Sequence, residues 1–294
     1  VVRVGGTAGD QEGSWAMPTF DFRGTAIAYD EAGSGEPIVF LHNLGGDRRI
    51  WGAQVAALRG THQVFALDLI GYGESDAPDN GYTLENYVAM VEAFLAARDL
   101  REVTLVGHCF GSALALLHTR RHPGRARSLI LSSPLTPATL RPTRTGWAAV
   151  LGRNVRLDAL LARVRLPGPV AGVIVSEQLG AARGTDIDEV VAHLRTRWTE
   201  PRRLMVTAAI SREIPRLAEL DDFAPPTDFP PITTVWGARN RVLSARAGAV
   251  LNRTLRPVRD IVVDDAGHLV MVEAPDVVTD AVRTAIRDAR SIDS

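Results

Sequence analysis

Cys109 is the only cysteine in the 294-residue chain, and it stands at the centre of Gly107-His108-Cys109-Phe110-Gly111. An apolar run, Thr104-Leu105-Val106, precedes that pentapeptide and a helical run follows it. The chain must therefore turn sharply at Cys109. Glycines two residues before and two after leave room for the turn, because side chains there would strike the adjoining strand and helix. The thiol is then carried to a helix N-terminus, whose positive end is expected to favour a thiolate. The backbone N–H of Phe110 is expected to face any oxyanion formed at an attacked carbon. Such a thiol needs a proton acceptor, and the chain has seven histidines. His118 and His122 follow along the helix after the turn and suit packing or surface roles, and His193 reads as a helix-face residue. His268 differs, because Gly267-His268 lies in a loop after a strand and before the last helix, where an imidazole can lean over a strand edge.

The elements that must hold these residues are legible in the hydrophobic pattern. Alternation around Gly24 predicts a hairpin over 19–23 and 25–30. Continuous apolar runs at "PIVFL", "QVFAL", "EVTLVG" and "RSLILSS" predict strands buried on both faces, with helices between them. Thr83 is placed to cap one of these helices, with Glu85 in its first turn. This repetition predicts an α/β fold, a mostly parallel sheet wrapped by helices. From 134 the pattern turns helical until "PITTVWG" restarts the strands. The expected organisation is a tail at 1–16, a core formed by 17–133 and 226–294, and a helical cap at 134–225. "GPVAGVIV" in the cap could line an apolar tunnel or pack on the core.

With 46% hydrophobic and 23% charged residues, the composition is that of a globular protein with a sizeable core. Net charge is −1, which offers nothing to attract nucleic acid or an anionic membrane. All 33 basic residues are Arg, so a lysine Schiff base and a P-loop lysine are excluded. One cysteine makes no internal disulfide, which fits a cytoplasmic setting. No stretch has the length and apolarity of a membrane span, and the first 16 residues lack the pattern of a secretory signal. No cofactor or metal is called for.

Four motifs in order resemble the α/β-hydrolase family: "FLHNLGGDRRIW", "DLIGYGESDAP", "GHCFG" and "AGHLVMVEAP". The resemblance covers roughly 18–133 and 226–294. It implies an α/β-hydrolase sheet, with Cys109 as nucleophile, His268 as general base and the N–H groups of Leu44 and Phe110 as oxyanion donors. The sequence departs from the family at three positions. Cys109 replaces the usual serine, Asn43 replaces the glycine after His42, and Asn240 in "WGARN" stands where the family places a carboxylate. Asp264 and Asp265 are the substitutes nearest to His268 in sequence.

The first and third departures are compatible. A thiol, with a reference pKa of about 8.5, loses its proton far more readily than an alcohol. Its base needs orientation more than a counter-charge, and an Asn carbonyl can supply that, as in papain-like Cys-His-Asn sites. The expectation is a Cys-dependent acyl-transfer enzyme, whether acyltransferase, cyclase or thioesterase. Its substrate would be a small acyl thioester, with a carrier protein or coenzyme A as the candidate donors. An ester or lactone hydrolase and a non-catalytic ligand receptor are the alternatives. His42, Asn43, His108 and Trp147 are further candidates for substrate contact, and Arg202-Arg203 could meet a pantetheine phosphate.

Overall fold

A computed structural model of the chain describes residues 18–140 and 158–292. The expected tail at 1–16 and Trp147 lie outside the described residues. Eight strands form one sheet in the order β1-β2-β4-β3-β5-β6-β7-β8. They are β1 Thr19–Phe22, β2 Thr25–Ala32, β3 Pro37–Leu41, β4 Gln63–Leu67, β5 Val103–His108, β6 Ala126–Ser132, β7 Ile232–Gly237 and β8 Arg259–Val263. The first two form the expected hairpin. Arg23 and Gly24 both have positive φ at its tip, as a two-residue turn between right-twisted strands requires. From β3 onward every neighbouring pair is parallel.

The helices are α1 Gly52–Leu58, α2 Leu84–Ala97, α3 Phe110–Arg121, α4 Asp158–Leu161, α5 Gly168–Ser176, α6 Thr185–Trp198, α7 Arg203–Ser211, α8 Ala245–Leu255, α9 Val270–Glu273 and α10 Pro275–Ile292. Thr83 caps α2 by accepting the Asn86 N–H, as its place in the sequence anticipates. Between β6 and β7 the described residues add helices α4 to α7 and no strand. No helix among the described residues is long and apolar enough to cross a membrane.

Strand β5 is buried at all six positions, and α3 behind it is buried from Phe110 to Thr119. The unbroken apolar run of β5 is thus explained by its central place, with layers on both faces. Parallel strands present their C-terminal ends on one edge of the sheet. The loops after β3, β5, β7 and β8 meet there, and the helices inserted after β6 cover them.

Candidate active site

Cys109 sits at the β5–α3 junction with φ 52° and ψ −109°, a left-handed conformation that costs a non-glycine residue energy. The glycines explain how the turn closes. A Cβ on Gly107 would lie 2.4 Å from the Gly111 carbonyl carbon, and one on Gly111 would lie 2.2 Å from the Leu41 oxygen. The Cys109 N–H donates to the Ser132 carbonyl at 2.9 Å, and Ser112 Oγ donates to the Gly107 carbonyl at 2.7 Å. The turn is thereby tied to both the sheet and the helix. The backbone N–H groups of Phe110 and Leu44 both act on the sulfur, so the two expected oxyanion donors converge at the thiol. Burial nevertheless dominates and pushes the thiol up to about 12. The expected thiolate at the helix N-terminus is therefore a neutral thiol in the free protein.

The loop carrying Leu44 is held from below. His42 Nε2 accepts the Leu69 N–H at 2.9 Å, which leaves Nδ1–H to donate to the Asn43 carbonyl at 2.7 Å. Both ring nitrogens are spent on backbone and the ring is fully buried. His42 therefore positions this loop and does not border the cavity that Asn43 and Leu44 line. Gly45 has φ +80° and lies against Trp198 of α6, where a Cβ would come within 2.1 Å of the ring. Asn43 does reach the cavity, and its Nδ2 donates to Gln178 Oε1 at 3.1 Å.

His268 lies in the β8–α9 loop. Its N–H donates to the Gln178 carbonyl at 2.7 Å, while the N–H of Gly267 donates to Glu273 Oε2 at 2.7 Å. Burial lowers the imidazole to about 3, so the ring is neutral at rest. Asn240 Nδ2 approaches His268 Nδ1 at 3.1 Å and Ser133 Oγ at 3.2 Å. Asn240 Oδ1 accepts the N–H groups of Val242 at 3.0 Å and Leu243 at 2.9 Å. The structure thus brings Asn240 to His268, but the carbonyl expected to orient the ring is turned away. The amide nitrogen faces the ring because the backbone of 242–243 claims the oxygen. Asp264 and Asp265 are exposed, and Asp265 pairs with Arg239 at 2.6 Å. His108 is fully buried, and its ring lies tilted against that of His268 with centroids 4.4 Å apart. Its Nδ1 lies 3.2 Å from the Ser132 carbonyl, and it does not border the cavity that His268 lines.

Cys109, His268, Asn43, Leu44 and Gln178 border one cavity of about 470 Å³. Its walls are largely aliphatic, including Leu135, Leu140, Leu161, Ile214 and Leu243, and among the described residues no charged side chain lines it. From "GPVAGVIV", Val170, Val173 and Ile174 line the cavity while Ala171 and Val175 pack inward, so the helix serves both expected purposes. Arg202 pairs with Asp79, and Arg203 is buried with its guanidinium over Tyr72.

Gln178, Ser133 and Glu273 were not singled out from the sequence. Gln178 holds Asn43 by its side chain and His268 by its carbonyl. Glu273 accepts from Gly180 and Gly267, tying the helical segment to the His268 loop. One signal was present, Glu273 in "HLVMVEAP", but polar contacts across 93 residues leave no local pattern.

Residues 36–275 match the model of the α/β hydrolase fold. Over 127 residues the chain is 41% identical to a haloalkane dehalogenase of Agrobacterium fabrum, a stretch that spans 43% of this chain and 41% of that enzyme. It is 26% identical over 282 residues to the dihydrolipoyllysine-residue acetyltransferase component of the acetoin cleaving system of Pseudomonas putida, covering 95% of this chain and 71% of that one. An α/β hydrolase fold protein from Burkholderia ambifaria superposes with a TM-score of 0.75 at 26% identity, over 90% of this chain and 96% of that one. The sheet order, the strained turn and a match across most of its length establish that this chain belongs to the α/β hydrolase fold family.

Proposed function

We propose that the protein is a Cys-dependent acyl-transfer enzyme acting on a neutral, largely apolar acyl thioester. The observation that carries this reading is the strained Cys109, with the N–H groups of Leu44 and Phe110 at its sulfur, opening into a cavity shared with His268 and lined, among the described residues, by no charged side chain. A carbonyl placed over Cys109 would direct its oxygen to those two donors. Such preorganised donors count for most in a site that excludes water. Sγ attacks the acyl carbon, and the thiol proton passes to Nε2 of His268 once the ring carries its own proton on Nδ1. The donor's C–S bond then breaks, and its sulfur takes the proton from His268. The acyl group now rests on Cys109 as a thioester, ready for an amine, a hydroxyl or a thiol. Residues 134–225 serve as the cap that shapes the acyl cavity in this reading, and the carrier end of the donor stays outside, since no cation among the described residues lines the interior.

The test is intact-mass analysis after incubation with acyl thioesters of graded chain length. One acyl mass should appear on the wild-type chain and be lost in Cys109→Ala. Products with added acceptors should carry the acyl group. An adduct that survives Cys109→Ala would move the nucleophile elsewhere. Free acid as the sole product would favour the hydrolase, and saturable binding without any adduct would favour a receptor.

A further inference from the structure

Asn240 presents its two ends to different partners, and the backbone decides which end goes where. The Oδ1 atom receives the N–H groups of Val242 and Leu243. Turning the amide over would set its NH₂ against those two donors, leaving buried backbone N–H groups unpaired. The orientation is therefore determined, and Nδ2–H donates towards His268 Nδ1 at 3.1 Å. A nitrogen that accepts such a bond carries no hydrogen. A neutral imidazole must then hold its single proton on Nε2. That is the nitrogen required to take the proton from Cys109.

We propose that Asn240 is a positioning residue that holds His268 in the Nε2–H tautomer and so restrains it as a base. The inference rests on the acyl-transfer reading only for what that restraint does to catalysis. The groups around the ring reinforce a neutral state. The His108 ring lies tilted against it, Cys109 shares its cavity, Ser133 Oγ accepts from the Asn240 amide, and Glu273 is engaged with the backbone N–H groups of Gly180 and Gly267. Among the described residues, the hydrogen-bond partner at Nδ1 is the Asn240 amide nitrogen. To serve as base, the ring must move its proton to Nδ1, where it meets the amide hydrogens of Asn240.

The restraint falls unequally on possible acceptors. Water is a poor nucleophile that needs its proton removed as it attacks the acyl-thioenzyme. An amine attacks with a free lone pair, and a thiol brings a far more acidic proton than water does. Masking the base therefore protects the acyl-thioenzyme from hydrolysis more than from transfer. Asn240 in place of a carboxylate would then select the outcome of the reaction as well as its rate.

The test begins with the tautomer itself. Long-range ¹H–¹⁵N correlation spectra of ¹⁵N-histidine-labelled full-length protein at neutral pH distinguish the protonated from the bare ring nitrogen. His268→Gln assigns the signal. The wild-type ring should show a bare Nδ1 and a protonated Nε2. Asn240→Asp retains an oxygen for Val242 and Leu243 and offers another to Nδ1–H. It should transfer the proton to Nδ1, accelerate acylation of Cys109 by at least about tenfold, and shift products towards free acid. A protonated Nδ1 in the wild type would overturn the proposal, and so would an Asn240→Asp variant with unchanged tautomer and product ratio. Asn240→Ala, which removes the opposing donor, keeps the test open should Asp perturb folding. It should acylate no more slowly than wild type, and a loss of tenfold or more in a folded variant would also count against the restraint. A bare Nδ1 with no adduct on Cys109 in any variant would instead sink the acyl-transfer reading while leaving the tautomer assignment standing.

Discussion

At Cys109, strain and burial act on the same side chain with different consequences. The left-handed backbone projects the thiol into the cavity, while loss of solvent keeps it protonated. In the proposed reaction, reactivity therefore depends on proton transfer as the substrate is attacked, and on the two N–H donors nearby. The donor on Leu44 exists only because His42 pins its loop. His42→Ala should lower acylation by about 10- to 100-fold, approaching the cost of an oxyanion donor. The KM for the donor should change little, because the ring does not border the cavity. A change in KM alone would show that the loop keeps its shape without the imidazole. Gly111 offers a harsher test of the turn. The Cβ of Gly111→Ala meets the Leu41 oxygen at 2.2 Å, so stability should fall by about 3 kcal/mol or more, read from urea unfolding.

Among the elements, the segment between β6 and β7 does more than cover the site. Its Gln178 carbonyl holds the His268 backbone, its Gln178 side chain holds Asn43, and its α6 carries Trp198 against Gly45. His193 of α6 also reaches Asp47 at 2.6 Å. Burial alone would raise that carboxyl, but the hydrogen bond and charge of His193 hold it well below the usual range. Glu273 is the counterpart from the core, accepting from Gly180 at 2.6 Å and Gly267 at 2.7 Å. Glu273→Ala would orphan both N–H groups, at about 1–3 kcal/mol each. The expected result is a lower Tm together with weaker acylation, because the His268 loop loses its anchor. If Tm drops while acylation is unaffected, the two loops are held independently.

For the whole molecule, the buried histidines set the response to acid. Burial lowers His42 to about 4, His118 to about 4 and His268 to about 3, and places His108 well below its ordinary value. In the unfolded chain each titrates near 6.5. Between about pH 6.5 and pH 4 the unfolded state therefore binds more protons, and stability falls as pH falls. Each such ring forgoes roughly 2 kcal/mol at about pH 5 relative to neutral pH. Asp68 works the other way, because burial raises its carboxyl to about 6 even with Arg48 beside it. Burial raises Glu273 as well, but two carboxyls do not offset these four imidazoles. Urea midpoints should decline steeply from neutral pH to about pH 5, and His118→Phe should flatten the slope by about one proton. A flat profile would mean that these rings accept protons without unfolding.

The hydrophobic pattern was sufficient for the hairpin and the strands, since burial on one or two faces writes itself into every second or every successive residue. The turn at Cys109 was legible because close backbone approach admits only glycine at 107 and 111. The loop at His268 was legible through Gly267 and its place before the last helix. What no local pattern carries is the partner of a buried polar atom. Whether Asn240 turns its oxygen or its nitrogen to His268 depends on two N–H groups at 242 and 243 and on a loop 28 residues away. Whether the helix end or burial governs the thiol depends on how completely the segment after β6 closes over it. Gln178 acquires its part only when the chain folds it between Asn43 and His268. Helix and strand follow from periodicity along the chain, whereas proton positions follow from donors and acceptors that only the tertiary fold brings within 3 Å.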